Sequence, residues 1–105
     1  MDLKIKELLS LLNQTIELLD RCGETHWSRW LDIARKRIEN RDFSGITYLL
    51  SAYGGMGSFN DLLIHPLNGH KIDDDAVPAV NDKLDTLRGR MFEVAGQIRR
   101  EVLSG

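Results

Sequence analysis

The sequence predicts an all-α domain of four helices, three shorter ones packed on a long C-terminal helix, with an ordered Gly-rich loop before the last. Three observations carry this reading. Apolar residues recur at three- and four-residue steps in four stretches, and no stretch shows the two-residue alternation of a strand. Most of the Gly, Pro and Asn-Gly punctuation falls between the helical stretches.

The first helix is expected from Asp2 to Cys22. Asp2 can cap it, and Ile5, Leu8, Leu9, Leu12, Ile16 and Leu19 form one apolar stripe, widened by Leu3, Leu11 and Leu18. Gly23 supplies the left-handed position that stops it. The second runs from Thr25 to Asn40, with Trp27, Trp30, Leu31, Ala34 and Ile38 on one face. The third is short. Asp42 or Ser44 caps it, Phe43, Ile46, Leu49, Leu50 and Tyr53 give its period, and Gly54 and Gly55 are expected to end it.

Residues 56–75 carry His65-Pro66, Asn68-Gly69 and three successive aspartates. A long irregular segment in so small a domain is uncommon unless functional or disordered, and its apolar Leu62-Leu63-Ile64 run favours an ordered loop. The last helix is expected to begin at Asp75 with Pro78 in its first turn, where a missing N–H costs nothing. Val77, Val80, Leu84, Leu87, Met91, Val94, Ile98 and Val102 make a heptad-like seam. Gly89 and Gly96 lie on one side of that helix and point to a close helix contact. A seam this long is expected to meet a second copy in part, giving a homodimer through the C-terminal helix, although a well-wrapped monomer satisfies the same pattern.

At 105 residues, with 42% hydrophobic and 29% charged residues, the chain reads as one domain, residues 1–105, of ordinary globular composition. A net charge of −2 argues against a nucleic-acid partner. No apolar run approaches the roughly 18 to 20 residues that span a bilayer, and the N-terminus lacks the pattern of a signal peptide, so no membrane association and a cytoplasmic location are expected. Cys22, the single cysteine, excludes an internal disulfide and reads as an inert residue at a helix end.

The most informative segment is Gly54-Gly55-Met56-Gly57-Ser58-Phe59-Asn60-Asp61. Glycine tolerates positive φ, so this run can turn tightly or admit a close partner. Gly55-Met56-Gly57 has the start of a dinucleotide fingerprint, but the third glycine is missing and a helix precedes it. No Gly-Lys-Ser/Thr comes after it to make a P-loop. One reading is a helix end and a tight turn, with Ser58 or Asn60 capping the next turn. The other is a binding loop made of these eight residues. Trp27 and Trp30, three apart, are either core or an aromatic anchor for a partner.

Asp73-Asp74-Asp75 lacks the alternating spacing of a calcium loop and reads as a solvated helix start, favoured by the helix dipole. His26, His65 and His70 have no metal-pair spacing, and neither a metal nor a cofactor is expected. With Asp82 and Asp85, the three aspartates form a candidate partner surface that could steer a basic protein.

Trp27, Trp30-Leu31, Asp42-Phe43-Ser44-Gly45-Ile46 and Leu49-Leu50-Ser51-Ala52-Tyr53, leading into a Gly-Gly-Met-Gly-Ser-x-Asn-Asp core, resemble a family of small bacterial helical proteins of unassigned function. The resemblance covers Trp27 to Ile64. It implies a bacterial origin and brings no catalytic residue with it. Small acidic helical families of this type resemble the immunity proteins encoded beside toxins. The functional expectation is a non-enzymatic protein-binding domain, an immunity-type inhibitor or a regulatory adaptor. The alternative is a small enzyme or ligand sensor with its pocket at Gly54–Asp61, using Ser58, Asn60, Asp61 and His65.

Overall fold

A computed structural model describes residues 2–104. Four α-helices form, α1 (Leu3–Arg21), α2 (Thr25–Glu39), α3 (Ser44–Leu50) and α4 (Val77–Ser104), and there is no strand among the described residues. Three short 3₁₀ turns, Phe59–Asp61, Pro66–Asn68 and Asp74–Ala76, punctuate the connection from α3 to α4. The all-α expectation and the long C-terminal helix hold. At 1.5 Å per residue α4 is about 42 Å long, which accounts for the 47 Å long axis of a molecule only 26 and 19 Å across.

Local chemistry sets the helix ends. Asp2 caps α1 by accepting a hydrogen bond from the Lys4 amide at 3.1 Å. At its other end Gly23 has φ +73°, and the Gly23 and Glu24 amides donate back to the Asp20 and Leu19 carbonyls, a Schellman closure. The same closure ends α2, but Arg41 occupies the left-handed position with φ +60°. A non-glycine residue there is uncommon, and nothing in the local sequence announces it. Asp42 then caps the start of α3 by accepting from the Ser44 amide.

Helix α1 packs on both α2 and α4, α3 packs on α2 and α4, and the core lies between them. Leu8, Leu12 and Leu19 of α1, Leu31 and Ala34 of α2, Leu49 of α3, and Leu84, Met91 and Val94 of α4 are completely buried. Thr15 is buried with them because its hydroxyl donates to the Leu11 carbonyl at 2.7 Å. Across the surface, Lys4 pairs with Glu101 and Arg90 with Glu7, which fixes α1 antiparallel to α4.

Several expectations are corrected. Helix α3 ends at Leu50, before Gly54 and Gly55, because tighter turns take over: the Ala52 and Tyr53 amides donate to the Leu49 and Leu50 carbonyls. A 3₁₀ turn over Asp74–Ala76 precedes α4, so the α-helix starts at Val77 and not at Asp75. Gly89 and Gly96 mark no close helix contact. A Cβ on Gly89 would meet open space, and one on Gly96 would meet only the Arg100 side chain of its own helix. The close contact is at Gly45, where a Cβ would lie 2.8 Å from Ile38 Cγ1 and 2.9 Å from the Ala34 carbonyl oxygen. The α2–α3 crossing depends on that missing methyl group. The α4 seam from Leu84 to Ile98 is buried within the chain, Met91 completely, and Val102 is its exposed end. Val77 and Val80, at its start, are half-buried.

Candidate functional site: a cleft beneath the glycine loop

After α3 the chain leaves the helical layer and is drawn back by specific hydrogen bonds. The Phe59 amide donates to the Ala52 carbonyl at 3.0 Å and closes a loop over residues 53–58. Within it Gly54, Gly55 and Gly57 have φ of +135°, +75° and +77°, as the glycine run predicts. No atom would crowd a Cβ at any of the three, so the backbone alone requires glycine there. Asp61 accepts from the Gly57 amide at 3.1 Å, and Ser58 caps the adjoining 3₁₀ turn by accepting from the Asn60 amide. Met56, at the tip, is 99% exposed.

Phe59 does not face solvent. It is completely buried, with the Trp27 and Tyr53 rings each 5.6 Å from its own, centroid to centroid. It is the anchor that pins the loop to the core. Trp27 and Trp30 are half-buried against the same core, and the Trp30 indole donates to the Tyr48 carbonyl.

Two side chains of α4 hold the rest of the segment. Arg88 Nη1 donates to the Phe59 and Leu62 carbonyls, both at 2.9 Å, and its other nitrogen pairs with Asp85. Asn81 closes on Ile64 from both sides, accepting from its amide at 2.9 Å and donating to its carbonyl at 2.8 Å. The Tyr53 hydroxyl donates to the Arg88 carbonyl at 2.7 Å. Burial pushes this phenol well above its usual range, against the smaller opposite effect of the Arg88 charge, so it remains a donor.

The segment next turns at Pro66–Asn68, where His65 Nδ1 accepts from the Leu67 amide, and Gly69 takes φ +82° at the expected Asn-Gly turn. The His70 side chain is buried, with its Nδ1 accepting from the His65 amide at 3.1 Å. Its Nε2 therefore carries the proton and donates to Glu24, 3.0 Å away. Glu24 also caps α2 by accepting from the Trp27 amide. Burial alone would raise the Glu24 pKa, but the hydrogen bonds from His70 and Trp27 outweigh it and hold the carboxyl below its ordinary value.

These contacts leave a cleft of ≈ 260 Å³ between the start of α2 and the loop. Trp27, Leu62 and Leu63 supply its apolar lining, Gly57 and Ser58 its loop edge, and Glu24, Asp61, Asn68 and His70 its polar lining. Of the eight residues expected to form a binding loop, Gly57, Ser58 and Asp61 reach it, while Asn60 is exposed and lies outside it. Leu63, on the cleft, is 49% exposed, and Leu67, next to the lining residue Asn68, is 89% exposed. Asp73, Asp74, Asp75, Asp82 and Asp85 are all exposed, and Asp85 also pairs with Arg88. Among the described residues no group of three or more His, Cys, Asp and Glu is placed to hold a metal ion.

Sequence reasoning missed Glu24, His70, Asn81 and Arg88. Asn81 and Arg88 lie two turns apart beside the apolar seam, and that spacing was their only signal. Their partners are main-chain atoms of a loop, which no side-chain pattern reveals.

No curated protein and no solved structure matches the chain. A family model described as a domain of unknown function (DUF6966) matches residues 20–73. Every residue lining the cleft, from Glu24 to His70, falls inside that match, as does the stretch from Trp27 to Ile64. The match covers just over half of the chain, which therefore belongs to the family of the domain of unknown function DUF6966.

Proposed function

We propose that this domain recognises another protein through the loop face and that its cleft receives a basic side chain of the partner. The carrying observation is a cleft with the Trp27 ring and the carboxylates of Glu24 and Asp61 along its lining, beside the exposed Leu63 and Leu67. A cation entering it meets an aromatic face and two acids. The apolar rim supplies the surface a protein partner would cover. Exposed Asp73, Asp74, Asp75 and Asp82 add negative potential that raises the rate of encounter with a basic partner. In its specific form the reading is an immunity-type inhibitor or regulatory adaptor in a bacterial cytoplasm, with a basic protein such as a nuclease toxin as partner. No helix among the described residues is long and apolar enough to cross a membrane, which is compatible with this reading.

The polar groups of the cleft favour binding over chemistry. Ser58, Asp61, Glu24 and His70 are each engaged in holding the fold, and His65 Nδ1 is occupied by the Leu67 amide. No serine–histidine hydrogen bond is formed there among the described residues. The ligand-sensor reading keeps one observation in its favour, the concave site itself.

Affinity capture from the native host with the parent and a Leu63→Asp variant tests the proposal. A protein recovered by the parent and lost by an equally stable variant supports it. Equal recovery by both, or recovery of no protein alongside a small molecule that raises the melting temperature, rejects it.

A further inference from the structure

The turn from His65 to His70 is held by two imidazoles used in the same way. His65 Nδ1 accepts from the Leu67 amide at 3.0 Å, and His70 Nδ1 accepts from the His65 amide at 3.1 Å. A ring nitrogen accepts only while it carries no proton, so both bonds require neutral histidine. A proton added at either Nδ1 sets N–H against N–H and removes the bond. We infer that this turn is a proton-operated latch on the wall of the cleft, closed at neutral pH and released by mild acid.

Through His70 the His65 amide is linked to Glu24 at the start of α2, and this chain of amide, ring and carboxylate fastens the turn to a helix. The turn's other bonds, from the Asn68, Gly69 and His70 amides and the Asn68 side chain, run to carbonyls of Leu63, His65 and Pro66, within the connection itself. Its two ends are fixed by groups that do not titrate. Asn81 clamps Ile64 at amide and carbonyl, and the Lys71 amide donates to the Cys22 carbonyl at 2.8 Å. Release is therefore confined to the residues between them, and it frees Asn68 from its place on the cleft wall. The surrounding charges favour it. Glu24 receives the Nε2 proton from a neutral or a charged ring, so His70 keeps that contact when Nδ1 gains a proton. Asp61, on the cleft with His70, is a second carboxylate near the new charge. Against it stand His26, near Glu24 on the first turn of α2, and Lys71, whose stem lies beside Gly23, both exposed. Helices α1 and α4 meet the connection here through the Cys22 carbonyl and the Asn81 side chain, neither of them charged. The bearing of the latch on a partner rests on the loop-face reading; the release itself does not.

The test uses the full chain without a partner, which decides the latch separately from the loop-face reading. Long-range proton–nitrogen NMR spectra should show both Nδ1 atoms unprotonated at about pH 7.5. The closed turn excludes a proton at Nδ1 and the open turn accepts one, so acid favours opening. With the ordinary histidine value of about 6.5 in the open turn, each ring makes opening about tenfold more frequent at pH 5.5 than at pH 7.5. Corrected for its intrinsic rate, the His65 amide should therefore exchange about tenfold faster or more at the lower pH. The Ile64 and Lys71 amides should change by less than about twofold. His70→Asn offers the His65 amide an acceptor that does not titrate in this range, and should bring its ratio down to about twofold or less. His26→Gln should keep the parent's ratio. The inference is overturned if either Nδ1 carries a proton at the higher pH, if the His65 amide does not accelerate, or if Ile64 and Lys71 accelerate with it. It is also overturned if His70→Asn keeps the parent's ratio or His26→Gln removes it.

Discussion

Replacing Arg88 by Met keeps most of the aliphatic stem and removes the guanidinium that holds the loop. The side chain is only 12% exposed, and its Nη1 serves two carbonyls, those of Phe59 and Leu62, at 2.9 Å each. The Phe59 carbonyl keeps a second donor, the Leu62 amide at 3.2 Å, so the loss falls chiefly on the Leu62 carbonyl. An acceptor left without a partner costs about 1–3 kcal/mol. The Asp85 pair adds little, since that carboxylate is 62% exposed. For a domain of this size each kcal/mol lowers the melting temperature by about 4–8 °C, so a fall of roughly 4–24 °C is expected. Arg88→Lys should recover part of it, because an ammonium can reach one of the carbonyls. Thermal melts followed by circular dichroism make the measurement. A melting temperature for Arg88→Met within about 3 °C of the parent would refute the view that Arg88 holds the loop.

Gly45→Ala should destabilise by about 1–3 kcal/mol, because its Cβ would overlap Ile38 Cγ1 and the Ala34 carbonyl oxygen. Gly89→Ala, in open space on a helix, should instead stabilise by about 0.5–1 kcal/mol, and denaturant titration of the two variants reads both signs. Gly57→Val should cost more than about 1 kcal/mol through its positive φ alone. Asp61→Ala should lower the melting temperature by losing the Gly57 amide, whereas Asn60→Ala, whose side chain makes no hydrogen bond among the described residues, should not. The Glu24 carboxyl has a folded-state pKa below its ordinary value of 4.5. Its contribution to stability is present above that value and is lost as pH falls below it through the folded pKa. Urea titrations should therefore show a steeper loss of stability on acidification for the parent than for Glu24→Gln.

The helical scaffold was legible because its signals are local and periodic. The seam of α4, the Asp2 cap and the Gly23 stop are each written within one helical turn of where they act. The three positive-φ glycines were legible for the same reason. Several of the errors share a cause as well: they needed a partner on another element of the fold. Phe59 sits among polar and glycine residues, so its neighbours assign it to the loop, while the rings of Trp27 and Tyr53 assign it to the core. Gly45 looks like a poor helix residue until Ile38 is placed against it, and Gly89 looks like a contact residue until nothing is. Glu24 and His70, 46 positions apart, become one feature only when the connection folds back over α2.

If the loop face, and not the α4 seam, is where the domain meets a protein partner, amide hydrogen exchange will show it. The comparison is between the domain alone and its complex with the protein it captures. Exchange in the complex should slow across Gly57–His70 and at the start of α2, with the buried stretch of α4 from Leu84 to Ile98 unchanged. A complex in which the loop exchanges as fast as in the free domain, with new protection elsewhere, would contradict binding at the loop face.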